Sequence, residues 1–156
     1  MSVETGIEAV SCVIAAWLLW LFIPRDRMRE VHVSFLVAQA PAWFLGVLVV
    51  ELGLLEYPVR FFSDAVRTSF TFEFFILPAM SVLYNLHFPA RSVWWKKLAF
   101  ALFFPTWITL LEIPIEKYTQ LLSYIHWHWS ATWGSLLFVF HLCYLYYCWF
   151  FSKKAA

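Results

Sequence analysis

The sequence predicts an all-α integral membrane protein, with five transmembrane helices in one compact bundle and an interfacial helix between spans four and five. Composition, segment length and the placement of charge carry that reading. Of 156 residues, 63% are hydrophobic and only 13% charged, and mean hydropathy is +0.72. A soluble domain runs roughly 45–50% apolar and ~25% charged, so a soluble core cannot absorb this chain. The apolar runs approach the ~20 residues that a helix needs to cross ~30 Å of hydrocarbon. None alternates as the strands of a barrel would.

Residues 1–156 form a single membrane domain. The first span covers about residues 5–23 and stops at Pro24, before Arg25, Asp26, Arg27, Arg29 and Glu30. The opening MSVETGIEAVSC has no basic n-region, which sets this run apart from a cleavable signal peptide. The second span, about 33–56, is interrupted only by Gln39, Pro41 and Glu51. A polar link with Arg60, Asp64 and Arg67 leads to the third span, about 70–88, which holds Glu73 and Pro78. A basic link follows with Arg91, Lys96 and Lys97. Span four, about 98–116, contains Pro105, Glu112 and Pro114, and span five, about 131–151, is closed by Lys153 and Lys154. Between them, segment 118–130 is too apolar for an ordinary loop and reads as a helix lying in the headgroup layer. Trp94, Trp95, Tyr118, Trp127 and Trp129 fall where an aromatic belt belongs.

Lysine and arginine in short loops mark the cytoplasmic side. Eight (Arg25, Arg27, Arg29, Arg91, Lys96, Lys97, Lys153, Lys154) fall on one side and three (Arg60, Arg67, Lys117) on the other. The expected topology is a multi-pass plasma-membrane protein with its N-terminus outside and its C-terminus in the cytoplasm. A net charge of +1, with the basic residues scattered among boundaries, gives no footprint for nucleic acid. The expected partner is the lipid bilayer, with a membrane-protein partner or a homo-oligomer left open. Cys12, Cys143 and Cys148 all lie in apolar runs, and their odd number argues against a disulfide framework.

The polar residues inside this apolar chain carry the chemistry. With the topology above, Glu8, Glu51, Glu73 and Glu112 sit on four different helices at one level, about 5–8 Å below the outer boundary at ~1.5 Å per residue. A carboxylate in hydrocarbon is costly unless it is paired, protonated or facing a wet cavity. The four either share one pocket, as an ion or proton site, or reach separately to the interface, with pairs such as Arg67–Glu73 and Glu112–Lys117. Glu112-Ile-Pro-Ile-Glu116 puts two carboxylates on one helical face, and Pro114 frees the carbonyl of Leu110. His126 and His128 at i,i+2 can face one ion on extended backbone but diverge on a helix. With Glu116 they form a second, metal-type candidate, since carboxylates and imidazoles suit zinc, manganese or iron. Neither cofactor nor substrate is specified beyond that metal ion. No GxSxG, HExxH, P-loop or dinucleotide glycine pattern occurs.

From Phe74 to Phe151 the order of features resembles an uncharacterised family of small multi-spanning membrane proteins of spore-forming bacteria. The resemblance rests on FFILP (Phe74–Pro78), the Trp95-Lys96-Lys97 boundary, LEIPIEKYTQLLSYIHWHW (Leu111–Trp129) and the aromatic last helix. It implies a bacterial plasma-membrane protein of four or five helices and brings no activity, cofactor or catalytic residue with it. The residues themselves lead to an outward-facing acidic pocket that binds a cation or protons, as in a small carrier or sensor. The alternatives are a metal-dependent membrane enzyme acting on a lipid or other apolar substrate, and a structural partner subunit without a site.

Overall fold

The structure, a computed structural model, describes residues 3–152. Lys153 and Lys154, which the charge pattern puts at the C-terminal boundary, lie outside the described residues. Four helices are long and apolar enough to cross a membrane, and the chain is a helical membrane-embedded protein. They are α1 (Val3–Phe22), α2 (Met28–Glu51), α4 (Trp94–Tyr118) and α5 (Trp129–Ser152). α2 is preceded by a single 3-10 turn, Arg25–Arg27. It ends at Glu51, earlier than the expected residue 56, because Gly53 takes a left-handed φ of 65°. The Gly53 and Leu54 amides then turn back to the carbonyls of Val50 and Val49, the pairing of a Schellman stop.

The third expected span is α3 (Leu77–His87), only 11 residues long. A π-helical turn, Phe72–Ile76, leads directly into it. Pro78 in the first turn of α3 cannot donate to the carbonyl four residues back. Gln39 of α2 takes that place, its Nε2 donating to the Phe74 carbonyl at 3.0 Å. By length α3 falls short of the four spanning helices, yet it is the centre of the molecule. From Leu77 to Leu86 only Met80 keeps partial exposure, and α3 packs against α1, α2 and α5, while α4 packs on α5.

Close approach to α3 is possible because α2 buries Ser34, Ala38, Ala42 and Gly46, a four-residue spacing of small side chains that lets backbones come together. On the opposite side Tyr84 of α3, fully buried, stacks on Phe140 at 5.2 Å and meets Phe104 edge-on at 5.5 Å. At one end of the bundle Arg27 ties three helices together. Its Nη1 donates to the Leu86 carbonyl at 3.2 Å, its Nη2 donates to the Tyr147 hydroxyl at 2.9 Å, and Glu30 accepts from both Arg27 and Tyr147.

At the other end two links close over the helices. Instead of the expected interfacial helix, segment 119–128 is a non-helical link with a two-residue strand between bends. Strand β1 (Leu55–Glu56) pairs antiparallel with β2 (Ser123–Tyr124), and the Ile125 and His126 amides both donate to the Leu54 carbonyl at 3.0 and 2.9 Å. Thr119 starts the departure from helix, its hydroxyl donating to the Ile115 carbonyl at 2.6 Å. Of the side chains expected to face headgroups, Leu122 is buried and Leu121 and Trp127 turn inward, while Tyr118, Ile125 and Trp129 stay exposed. Leu55, on the partner strand, is buried as well. Arg60, a boundary charge by sequence, holds the first link by donating to the carbonyls of Tyr57, Ser63 and Val66.

Candidate functional site

Beneath this cap lies a cavity of about 350 Å³, walled by all five helices and both links. Glu8, Glu73 and Glu112 line it together, and Glu51 does not. Helix geometry explains the division. α2 turns Ala42, Gly46 and Val49 to the cavity, and Glu51, five positions beyond Gly46, sits about 140° further round at ~100° per residue. Glu51 accordingly points away, its side chain 60% exposed, with Arg67 Nη1 at 3.6 Å. The sequence pairing Arg67–Glu73 is thus replaced by Arg67–Glu51. Lys117 stands over the Tyr118 ring instead of meeting Glu112.

Glu73 is the most enclosed of the three, at 2% exposure. The π-turn carries it, and Thr68 Oγ1 donates to its Oε2 at 2.7 Å. Its Oε1 has no hydrogen-bond partner among the described residues. Space for this carboxyl exists because residue 46 is glycine: a Cβ built there would stand 1.6 Å from Oε1. Glu8 is 8% exposed and lines the cavity together with Thr71, just ahead of the same turn.

Glu112 is half-buried and well supplied with donors. The Tyr124 hydroxyl donates to its Oε1 at 2.5 Å and Thr132 Oγ1 donates to the same oxygen at 3.0 Å. Trp127 Nε1 donates to Thr132 Oγ1 at 2.8 Å, completing a chain from the cap to α5. Burial pushes the phenols of Tyr57 and Tyr124 up, reinforced by the Glu73 carboxyl at Tyr57 and by the bond to Glu112 at Tyr124. Both therefore remain donors at neutral pH.

The non-helical link divides the His126-Trp127-His128 triplet. Trp127 turns into the cavity, while His126 and His128 are exposed, and His128 Nδ1 meets Ser130 Oγ at 2.9 Å. Glu116 is half-buried and outside the cavity wall. Among the described residues no three His, Cys, Asp or Glu side chains gather closely enough to hold a metal ion.

Among the described residues none of the three cavity carboxyls has an ion-pair partner, the ion pairs being Arg27–Glu30 and Arg67–Glu51. No lysine, arginine or histidine lines the cavity. Its wall is otherwise mostly aliphatic and aromatic, with Trp107, Tyr57 and Trp127 among the rings. Sequence reasoning did not find Gly46, Thr68, Tyr124 and Thr132. The signal for Gly46 was available in the spacing Ser34, Ala38, Ala42, Gly46; the hydroxyl donors become visible only once the two links meet. A comparison with protein-family models, with curated proteins and with solved structures found no match.

Proposed function

We propose that this chain is a plasma-membrane protein whose capped cavity binds a cation or protons through Glu73, Glu8 and Glu112, as a small carrier or sensor does. In this reading α3 and its π-turn cross as a fifth, central span. The capped end faces outside with the N-terminus, and the Arg27 end faces the cytoplasm, in keeping with the excess of lysine and arginine there. The observation that carries the reading is the Glu73 carboxyl. It is 2% exposed, with one oxygen unpartnered and no cation beside it among the described residues. An ionised carboxylate so placed needs a positive partner, and a proton or a bound cation supplies one.

A ligand that binds only the folded state raises stability, by about 2.7 kcal/mol at a hundredfold excess over Kd. The test is the unfolding temperature of the purified protein in mild detergent, titrated with sodium, potassium, methylammonium and acid. The wild type is expected to respond to at least one of these, and Glu73→Gln, folded to the same helix content, to lose that response. Equal responses from the two proteins would overturn the proposal.

A further inference from the structure

The cavity is bordered on one flank by two helices that do not pack along each other. α1 packs against α3 and the π-turn, and α4 packs against α5, with no extended contact from α1 to α4 among the described residues. Each nevertheless turns a face to the cavity: Ile7, Ser11, Ile14 and Leu18 from α1, Ile108, Leu111 and Ile115 from α4. Ile14, Trp107 and Leu111 line the cavity and are also about half exposed on the outside of the molecule. Ile14 and Trp107 stand near the middle of their helices, where a membrane protein meets hydrocarbon rather than water. The flank between α1 and α4 is therefore an apolar opening toward the bilayer.

Size and wall chemistry define what fits. About 350 Å³ is roughly ten times the volume that one water takes in the liquid, far more than a bare ion fills, and at the low end of small-molecule sites. The lower wall, toward the bundle centre, is aliphatic, with Leu18, Met80, Leu136 and Val139. The carboxyls sit toward the cap with Tyr57 and Trp127, and no basic residue is present to receive an anion. An ammonium head has three donors and no acceptor. It matches the three carboxyls, none of which has a cation beside it among the described residues, and aromatic faces beside them favour a cation further.

Resting on the cation-binding reading above, we infer that the ligand is a lipophilic amine. Its apolar body occupies the aliphatic part of the cavity, its protonated amino head lies among Glu73, Glu8 and Glu112, and it reaches the site from the bilayer between α1 and α4. Charge selects the head, and the opening selects a molecule that is already dissolved in the membrane.

The test uses the full chain in nanodiscs of zwitterionic lipid and a long-chain primary amine with a diazirine at its tail. Labelled residues are mapped by mass spectrometry, with dodecylamine, dodecanol and methylammonium as competitors. The expected label falls on cavity-facing residues of α1 and α4. Dodecylamine suppresses it at least tenfold more effectively than dodecanol or methylammonium, and it is lost in Glu73→Gln. Ser135→Phe, which fills the cavity without altering a carboxyl, is expected to lose it as well. Equal competition by dodecanol would show that the amino head is not recognised and would overturn the inference. If methylammonium competes as well as dodecylamine, cation binding stands and the lipophilic ligand falls. Label confined to outward residues such as Trp20 and Phe103, unaffected by any competitor, would overturn it too.

Discussion

Gly46 and Glu73 share one space: a methyl group on the Gly46 Cα would stand 1.6 Å from the Glu73 Oε1. Two helical segments are thus matched so that a carboxyl on one fills the gap left by a missing side chain on the other. Gly46→Ala should force Glu73 from its place and break its bond to Thr68. Overpacking of this kind costs about 1–3 kcal/mol, against about 1 kcal/mol that alanine gains over glycine in a helix. A fall in unfolding temperature is expected, largely restored by adding Glu73→Ala and not by adding Glu73→Gln, which keeps the bulk. A wild-type unfolding temperature for Gly46→Ala would mean that the carboxyl lies elsewhere.

Thr68 is the donor that holds Glu73 Oε2 at 2.7 Å. Thr68→Val keeps the shape and removes the hydroxyl, leaving a buried acceptor unsatisfied at about 1–3 kcal/mol. Thr68→Ser should recover most of the loss in thermal or denaturant unfolding. Equal destabilisation by both substitutions would assign the effect to packing instead of the hydrogen bond.

The cap should be the least stable part of the site. Its two links meet through a two-residue pairing and a few further backbone bonds, and the Tyr124 hydroxyl ties the second link to α4 and α5. Tyr124→Phe is expected to speed amide hydrogen exchange at Ile125 and His126, whose amides donate to Leu54, while α3 amides keep wild-type rates. Unchanged exchange in the cap would show that the backbone pairing suffices without the phenol.

At the opposite end, Arg27, Glu30, Tyr147 and the Leu86 carbonyl form one partly exposed network. Tyr147→Phe removes a neutral donor and should cost about 1 kcal/mol. Glu30→Ala should cost more, roughly 1–2 kcal/mol after allowing for screening of a partly exposed pair, because it leaves the guanidinium without its carboxylate. Unfolding measurements give the order, and the cation response of the cavity should survive both changes. A lost response would mean that the two ends are coupled.

The contrast between Glu51 and Glu73 shows what was legible in the sequence. Depth along a helix follows from counting residues, and that count brought out Glu8, Glu73 and Glu112, which the fold then gathers around one cavity. The direction a side chain points depends on which face is buried, and Glu51, at the proper depth, faces outward to Arg67. Four long apolar helices were legible because length and composition alone define them. The short α3 was not, since its shape depends on a π-turn and on Gln39 completing the Phe74 carbonyl from another helix. Segment 118–130 misled for a related reason. Its seven apolar and aromatic residues suit an interfacial helix or a non-helical link equally, and the choice lies with Leu54–Glu56, more than sixty positions earlier.

The central claim is that a cation engages the Glu73 carboxyl, and infrared difference spectroscopy tests it most directly. The membrane-reconstituted protein would be perfused alternately with buffer and with the cation or amine that raises its unfolding temperature. A reversible change in the glutamate carboxyl bands is predicted in the wild type, with the Glu73 component absent in Glu73→Gln. A wild-type spectrum without any carboxyl change, or an identical spectrum from the variant, would contradict the account.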